Sequence, residues 1–248
     1  MLLQIKKNGP GVVVVDSLYS TNGSLCPLSA VVKASEENGC VLIVDESHSI
    51  GTHGPQGAGL VKALGLSHRV DFITTSLAKT FAGRGGFISC TNRFKEYFLT
   101  EARPAIFSSC LLNHELAWFD AALSFIQSAD FRRQRLKEVT SILRTNLTDM
   151  GYNVSDGSEQ IIALEAGTES QLLVLRNALQ RRGVFGAVFF APATPKNRTL
   201  MRLTVNSSLT DAEINRVLEA CADMRDEVDL QNWSSTRRLR KGAMLQAA

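Results

Sequence analysis

Lys79 stands just past an apolar run, RVDFITTS (69–76), and small residues follow it, Gly83, Gly85 and Gly86 among them. A lysine so placed is expected to be partly desolvated, which disfavours the ammonium and frees the amine to attack a carbonyl carbon. A second apolar run, CVLIVDES (40–47), ends near Asp45, with His48 three residues on. A carboxylate closing a buried strand is costly without a cationic partner. The protonated ring nitrogen of pyridoxal phosphate (PLP) is such a partner. An imidazole at position 48 could bond the hydroxyl of such a ring or carry protons. Ser76 offers a hydroxyl suited to a phosphate oxygen. A third run, GVVVVDS (11–17), leads into Asp16, Ser20 and Asn22. Each residue also has a plainer reading: Asp45 as a helix cap, His48 as an ordinary loop residue, Lys79 as a solvated cation, residues 83–86 as a turn.

These side chains need a scaffold that gathers them, and the apolar patterning describes one. Residues 11–17, 40–47, 69–76 and 85–90 read as strands, the first buried on both faces. PLSAVVKASEENG (27–39) reads as a helix opened by Pro and closed by Gly, and 57–66 as a shorter one. Strand–helix alternation of this kind predicts an α/β fold with a mainly parallel sheet, whose ligands sit beyond the carboxyl ends of the strands. Farther on, 93–103 is expected to be helical, 106–109 extended, and 113–150 one long helix bridging two lobes. A smaller α/β unit follows, with strands at 160–167, 183–192 and 201–206 and helices at 169–182 and 210–228. The expected division is 1–145, 146–230 and a solvated basic tail, 231–248, carrying Arg237, Arg238, Arg240 and Lys241.

The composition fits a packed protein: of 248 residues, 44% are hydrophobic and 21% charged, which excludes a disordered chain. No apolar run approaches the roughly 18 residues of a membrane span, and a net charge of +3 gives no reason to expect nucleic acid. The N-terminal valine run is too short for a signal peptide, so a cytoplasmic location is expected. Five cysteines lack CxxC spacing, and Cys26, Cys40 and Cys90 sit in or beside apolar runs, which predicts buried free thiols; no metal site is expected. The chain opens almost directly into a core strand with little before it to flank it, which suggests the C-terminal part of a longer protein.

DESHSIGTHGPQGAG (45–59) followed by TTSLAKTFAGRGG (74–86) resembles the α-oxoamine synthase family of fold-type I PLP enzymes. DSLYSTNGSLCPL (16–28) is similar to that family's serine-containing loop, with Asn22 where an aspartate is usual. FSSCLL (107–112) resembles the segment that reaches the phosphate held by a partner subunit, and MRLTVNSSLTDAEI (201–214) the motif whose arginine meets an amino-acid carboxylate. PAIFSS, QIIALEAG and GVFGAVFFAPATPKNR are most similar to members that make α-hydroxyketone signals. The resemblance implies a partial large domain with a small C-terminal α/β domain, and a homodimer with shared sites. It implies that Lys79 carries PLP as a Schiff base, that Asp45 pairs with the ring nitrogen and that His48 bonds the ring hydroxyl. Ser20 would contact the cofactor, Ser76 its phosphate, Ser108 or Ser109 the phosphate across the dimer, and Arg202 a substrate carboxylate. The implied reaction joins a medium-chain acyl-CoA to S-adenosylmethionine or 2-aminobutyrate. The nearest alternatives are an oxoamine synthase using glycine, alanine or serine, and a non-catalytic truncated or partner subunit. The family's ring-stacking aromatic residue and a further phosphate loop lie upstream of the segment that aligns here.

Overall fold

A computed structural model describes residues 2–239. The described residues form two compact units, 2–19 with 26–133, and 20–25 with 134–239. The division falls between Arg133 and Gln134, inside a helix.

The first unit begins with α1 (Leu2–Asn8), a helix that the sequence reading did not foresee, and continues through β1 (Val12–Asp16), α2 (Leu28–Glu37) and β2 (Val41–Asp45). A short 3₁₀ turn (Pro55–Gly57), α3 (Leu60–Ala63), β3 (Phe72–Ser76) and β4 (Gly86–Ser89) follow. The sheet order is β1-β2-β3-β4. β1, β2 and β3 are parallel, as expected, but β4 runs antiparallel to β3. Strand direction is invisible to periodicity, and the short loop 77–85 suits an antiparallel return.

One face of this sheet is fully covered; on the other, helix α4 (Asn92–Glu101) covers only the β3 end, where Phe94 packs 4.4 Å from Phe72 between ring centroids. Val13, Val15, Leu42, Val44 and Ile73 pack with Val31 and Val32 of α2 and with Val61 and Leu66. The alternate residues point the other way, leaving Val12 and Val14 62% and 65% exposed. β1 is therefore an edge strand with one open face, a correction to the reading of a strand buried on both sides. A run of valines carries no alternation that would have told the two faces apart.

Helices α4 (Asn92–Glu101), α5 (Arg103–Phe107) and α6 (Asn113–Ser128) complete the first unit, and α7 (Asp130–Asp149) leads into the second. Two expectations change here. Residues 106 and 107 close a short helix, opened by Arg103-Pro104, instead of forming an extended segment. The 113–150 stretch is two helices with a break at Ala129.

The second unit carries β5 (Ile161–Gly167), α8 (Glu169–Arg181), β6 (Ala187–Phe189), β7 (Thr199–Thr204) and α9 (Asp211–Asp223). Its sheet is antiparallel, in the order β5-β7-β6. Capping boxes start both α8, from Thr168 and Gln171, and α9, from Thr210 and Glu213. The core gathers Val139, Leu143 and Leu147, one stripe of α7, with Leu172, Leu175 and Leu179 of α8. Residues 234–239 are helical, and Trp233 is 1% exposed. Trp233 stacks edge-on with Tyr152 and donates its indole N–H to the Val228 carbonyl. The start of the expected basic tail is thus built into this core, while Arg240 and Lys241 lie outside the described residues.

Candidate active site

The carboxyl ends of β1, β2 and β3 place a row of polar side chains on the open face of the first sheet. Register pairs Asp16 with Asp45 and Asp45 with Thr74, so the three side chains share a face. Asp45 is held at both oxygens. Thr74 Oγ1 donates to Oδ2 at 2.8 Å, and the Ser47 N–H donates to Oδ1 at 2.9 Å. Ser47 Oγ in turn accepts the Ser76 N–H at 2.7 Å, which ties the end of β3 to the turn after β2. Asp45, Ser47, Thr74 and Ser76 line the polar end of a cleft of about 600 Å³, whose other end is apolar, with Phe94 and Phe98.

Burial, and then the neighbouring Asp45 charge, push the Asp16 carboxyl above the ordinary aspartate value, while Lys79 opposes the rise. Two adjacent carboxylates with a lysine within electrostatic reach suit a cationic, proton-bearing ring. On that test the residues present fit PLP.

Lys79 lies in the turn after β3 and is exposed. The expected desolvation is therefore not met among the described residues: the small residues around it cast no shield, and the open sheet face leaves it in solvent. His48 is half-buried in the turn after β2, where its carbonyl accepts the Thr52 hydroxyl. That turn is clipped from within by Glu46, 2% exposed, whose Oε1 accepts from Leu60 N at 2.6 Å, Val61 N at 3.0 Å and Ser49 Oγ at 2.9 Å. The buried Arg133 holds it from another side, donating to the Gly51 carbonyl. Neither clamp was foreseen.

Ser76 Oγ accepts the Ala78 N–H at 3.3 Å. Ser108 and Ser109 follow α5 and are exposed, and Ser108 Oγ donates to the Pro104 carbonyl. Ser20 and Arg202 belong to the second unit, which brings them together: Arg202 Nη1 donates to the Ser20 carbonyl at 2.9 Å. The guanidinium lies 4.8 Å above the Phe189 ring, and its buried Nε–H has no hydrogen-bond partner. Burial pushes the Arg202 pKa down. A forked guanidinium is a donor set suited to a carboxylate.

The model of the family "Aminotransferase class I and II" matches residues 2–221. The chain belongs to that family. It is 46% identical over 228 residues to the CAI-1 autoinducer synthase of Vibrio campbellii, covering 92% of this chain and 58% of that protein. A putative 8-amino-7-oxononanoate synthase of Halalkalibacterium halodurans is 33% identical, covering 88% of this chain and 55% of its own length. A high-resolution structure of SPT with PLP as an internal aldimine superposes with a TM-score of 0.84 at 27% identity, over 92% of this chain and 58% of that one. The chain thus spans little more than half the length of these relatives. Its fold is that of the fold-type I transferases, and the partial large domain is part of that finding. No helix among the described residues is long and apolar enough to cross a membrane.

Proposed function

We propose that this chain is the Lys79-bearing part of an α-oxoamine synthase, one that transfers a medium-chain acyl group from CoA to an amino-acid-derived substrate. The product is the amino-ketone precursor of an α-hydroxyketone signal, and the setting is the cytoplasm, where acyl-CoA is made. The carrying observation is the row Asp16–Asp45–Thr74, with Ser76 and Lys79 beyond it. The 46% identity to the CAI-1 autoinducer synthase supports the particular reaction.

PLP, once bound, supplies an electron sink for a carbanion at the substrate's α-carbon. Lys79 provides the amine that holds the cofactor and then takes the α-proton. Asp45, fixed by Thr74 and Ser47, keeps the ring nitrogen protonated. His48 bonds the ring hydroxyl, Ser20 contacts the cofactor and Ser76 reaches the phosphate. Ser108 or Ser109 meets the phosphate of a second copy in a homodimer. Arg202 takes the substrate carboxylate. S-adenosylmethionine and 2-aminobutyrate are the substrates to try first.

Borohydride reduction of the chain mixed with PLP tests this directly. It should leave a stable adduct on Lys79, found by peptide mass, and Lys79→Ala should abolish it. Reduction at scattered lysines, unchanged by Lys79→Ala, would refute the assignment and favour a non-catalytic subunit. A panel of amino acids offered with octanoyl- or decanoyl-CoA, followed by CoA release, then identifies the substrate. Turnover with glycine, alanine or serine instead would favour the second reading, for which the 8-amino-7-oxononanoate synthase relative speaks.

A further inference from the structure

Lys79 opens a tight turn, 79–82, and each of the other residues in that turn is held. Thr80 Oγ1 donates to the Ile50 carbonyl at 3.1 Å. The Phe81 side chain is buried and packs in a small core with Leu77, Ile126 and Phe119. The Ala82 N–H donates to the Lys79 carbonyl at 3.0 Å and closes the turn, and the Gly83 N–H returns to the Leu77 carbonyl at 3.1 Å. From α6, the Trp118 indole N–H donates to the Phe81 carbonyl at 2.8 Å. Phe119, next on that helix, lies over the glycines that follow. A Cβ at Gly83 would come within 2.5 Å of its ring, and one at Gly85 within 2.9 Å.

The Phe81 carbonyl and the Ala82 N–H belong to one planar peptide unit. Its oxygen is bonded to Trp118 and its N–H to the Lys79 carbonyl. Turning that plane to let the oxygen reach water would break the bond to Lys79. Ala82 is also held at φ +51°, where a residue with a Cβ is disfavoured and stays only if its surroundings fix it. Trp118 is 54% exposed, so burial of its ring is not its main contribution to this unit.

The geometry points to Trp118 as a positioning residue for Lys79, acting through the Phe81–Ala82 peptide. This deepens the reading of Lys79 as the cofactor lysine and, for its meaning in catalysis, rests on it. With the turn fixed, the Lys79 amine is offered from a set backbone position, and only its own stem remains to be ordered when the cofactor binds.

Amide hydrogen exchange of the unloaded chain tests the hold on the turn without any cofactor. Trp118→Phe keeps an aromatic ring at a half-exposed position and removes the donor, so the fold should survive. The Ala82 and Gly83 amides should exchange about tenfold faster, as loss of one hydrogen bond implies. The Glu46 amide, bonded to the Thr74 carbonyl, should keep its rate. An Ala82 rate equal in wild type and Trp118→Phe would overturn the inference. With PLP added, absorbance of the Lys79 adduct gives a second readout. Its apparent Kd should rise about tenfold in Trp118→Phe. Trp118→His should restore most of the difference, because imidazole Nε2 stands in its five-membered ring where the indole nitrogen stands. Packing alone predicts the reverse order, since phenylalanine replaces more of the indole than histidine does. That reverse order, or equal constants for wild type and Trp118→Phe, would also overturn it. Failure of wild type to form any adduct would instead count against the proposed function, with the exchange comparison still deciding whether Trp118 holds the turn.

Discussion

Glu46 shows how much of a site is held by residues that do no chemistry. Its carboxylate is almost wholly buried and takes two backbone N–H groups and one hydroxyl. Those bonds close the loop from residue 46 to residue 61, which carries His48. Gly59 makes room for the carboxylate: at φ +90° any side chain is strained, and a Cβ there would lie 2.3 Å from Glu46 Oε2. Glu46→Gln brings an NH₂ group into a pocket built of donors. It should lower unfolding stability by roughly 2–4 kcal/mol, given that bonds to a charged acceptor contribute about 1.5–3 each and orphaned donors add a penalty. Urea denaturation measures this, and a midpoint unchanged from wild type would rule out the clamp. The places of Asp45, His48, Ser76 and Lys79 at or just past strand ends were legible in the sequence because apolar runs mark those ends. Glu46 was not, since its partners Leu60 and Val61 lie 14 and 15 residues along the chain and follow no period. The exposure of Lys79 was misread for a related reason. Apolar neighbours in sequence desolvate a side chain only when the fold lays something over it.

Element ends in the second unit depend on one buried acid. Glu165 of β5 sits at a register shift and is 6% exposed. Arg238 donates to both its oxygens, Arg198 to Oε2 and Ser234 to Oε1, while Ser235 Oγ bonds its carbonyl. Burial raises the Glu165 pKa, but the bonds from Arg238, Arg198 and Ser234 outweigh it and leave the value below ordinary. A depressed carboxylate pKa contributes stability that is complete above the unfolded value and is lost as pH falls through the folded one. Unfolding stability should therefore drop as pH is lowered through and below about 4.5. Glu165→Gln should flatten that part of the curve while lowering stability at pH 7, where two arginines lose their counter-ion. Parallel slopes for the two proteins would sink the prediction. Strands, helices and the α/β class were legible here from apolar runs and capping signals such as Thr210 with Glu213. The basic tail was not. Charge counting assigned Arg238 to solvent, and only the fold brings it to a carboxylate 73 positions earlier. The break at Ala129 escaped as well, because alanine favours helix and nothing in the spacing announces a stop.

At the scale of the whole molecule, the exposed apolar surface demands an explanation. Besides the open face of β1, helices α5 to α7 expose Phe107 (81%), Leu112, Leu116, Trp118, Phe125 and Phe131. Scattered exposed apolar side chains are ordinary, but such a density on consecutive helices marks an interaction surface. Arg132 over the rings of Phe125 and Phe131 adds a feature that interfaces favour. Ser108 and Ser109, proposed to reach a second copy's phosphate, lie in the same stretch, and on that proposal another copy of this chain is the occupant to test. Each large apolar side chain buried in a symmetric contact is buried twice, and full burial of one contributes about 1.5–3 kcal/mol. Phe107→Asp and Leu116→Asp change residues that α5 and α6 leave mostly in solvent, so the fold should survive both. Either substitution should weaken dimerisation at least about tenfold, the equivalent of 1.4 kcal/mol, and the pair should give monomer at micromolar concentration. Sedimentation equilibrium reads the outcome directly. A wild type that stays monomeric at every concentration, or a double variant that dimerises as tightly as wild type, would show that these helices do not form the subunit contact, and the assignment of Ser108 and Ser109 to a partner's phosphate would fall with it.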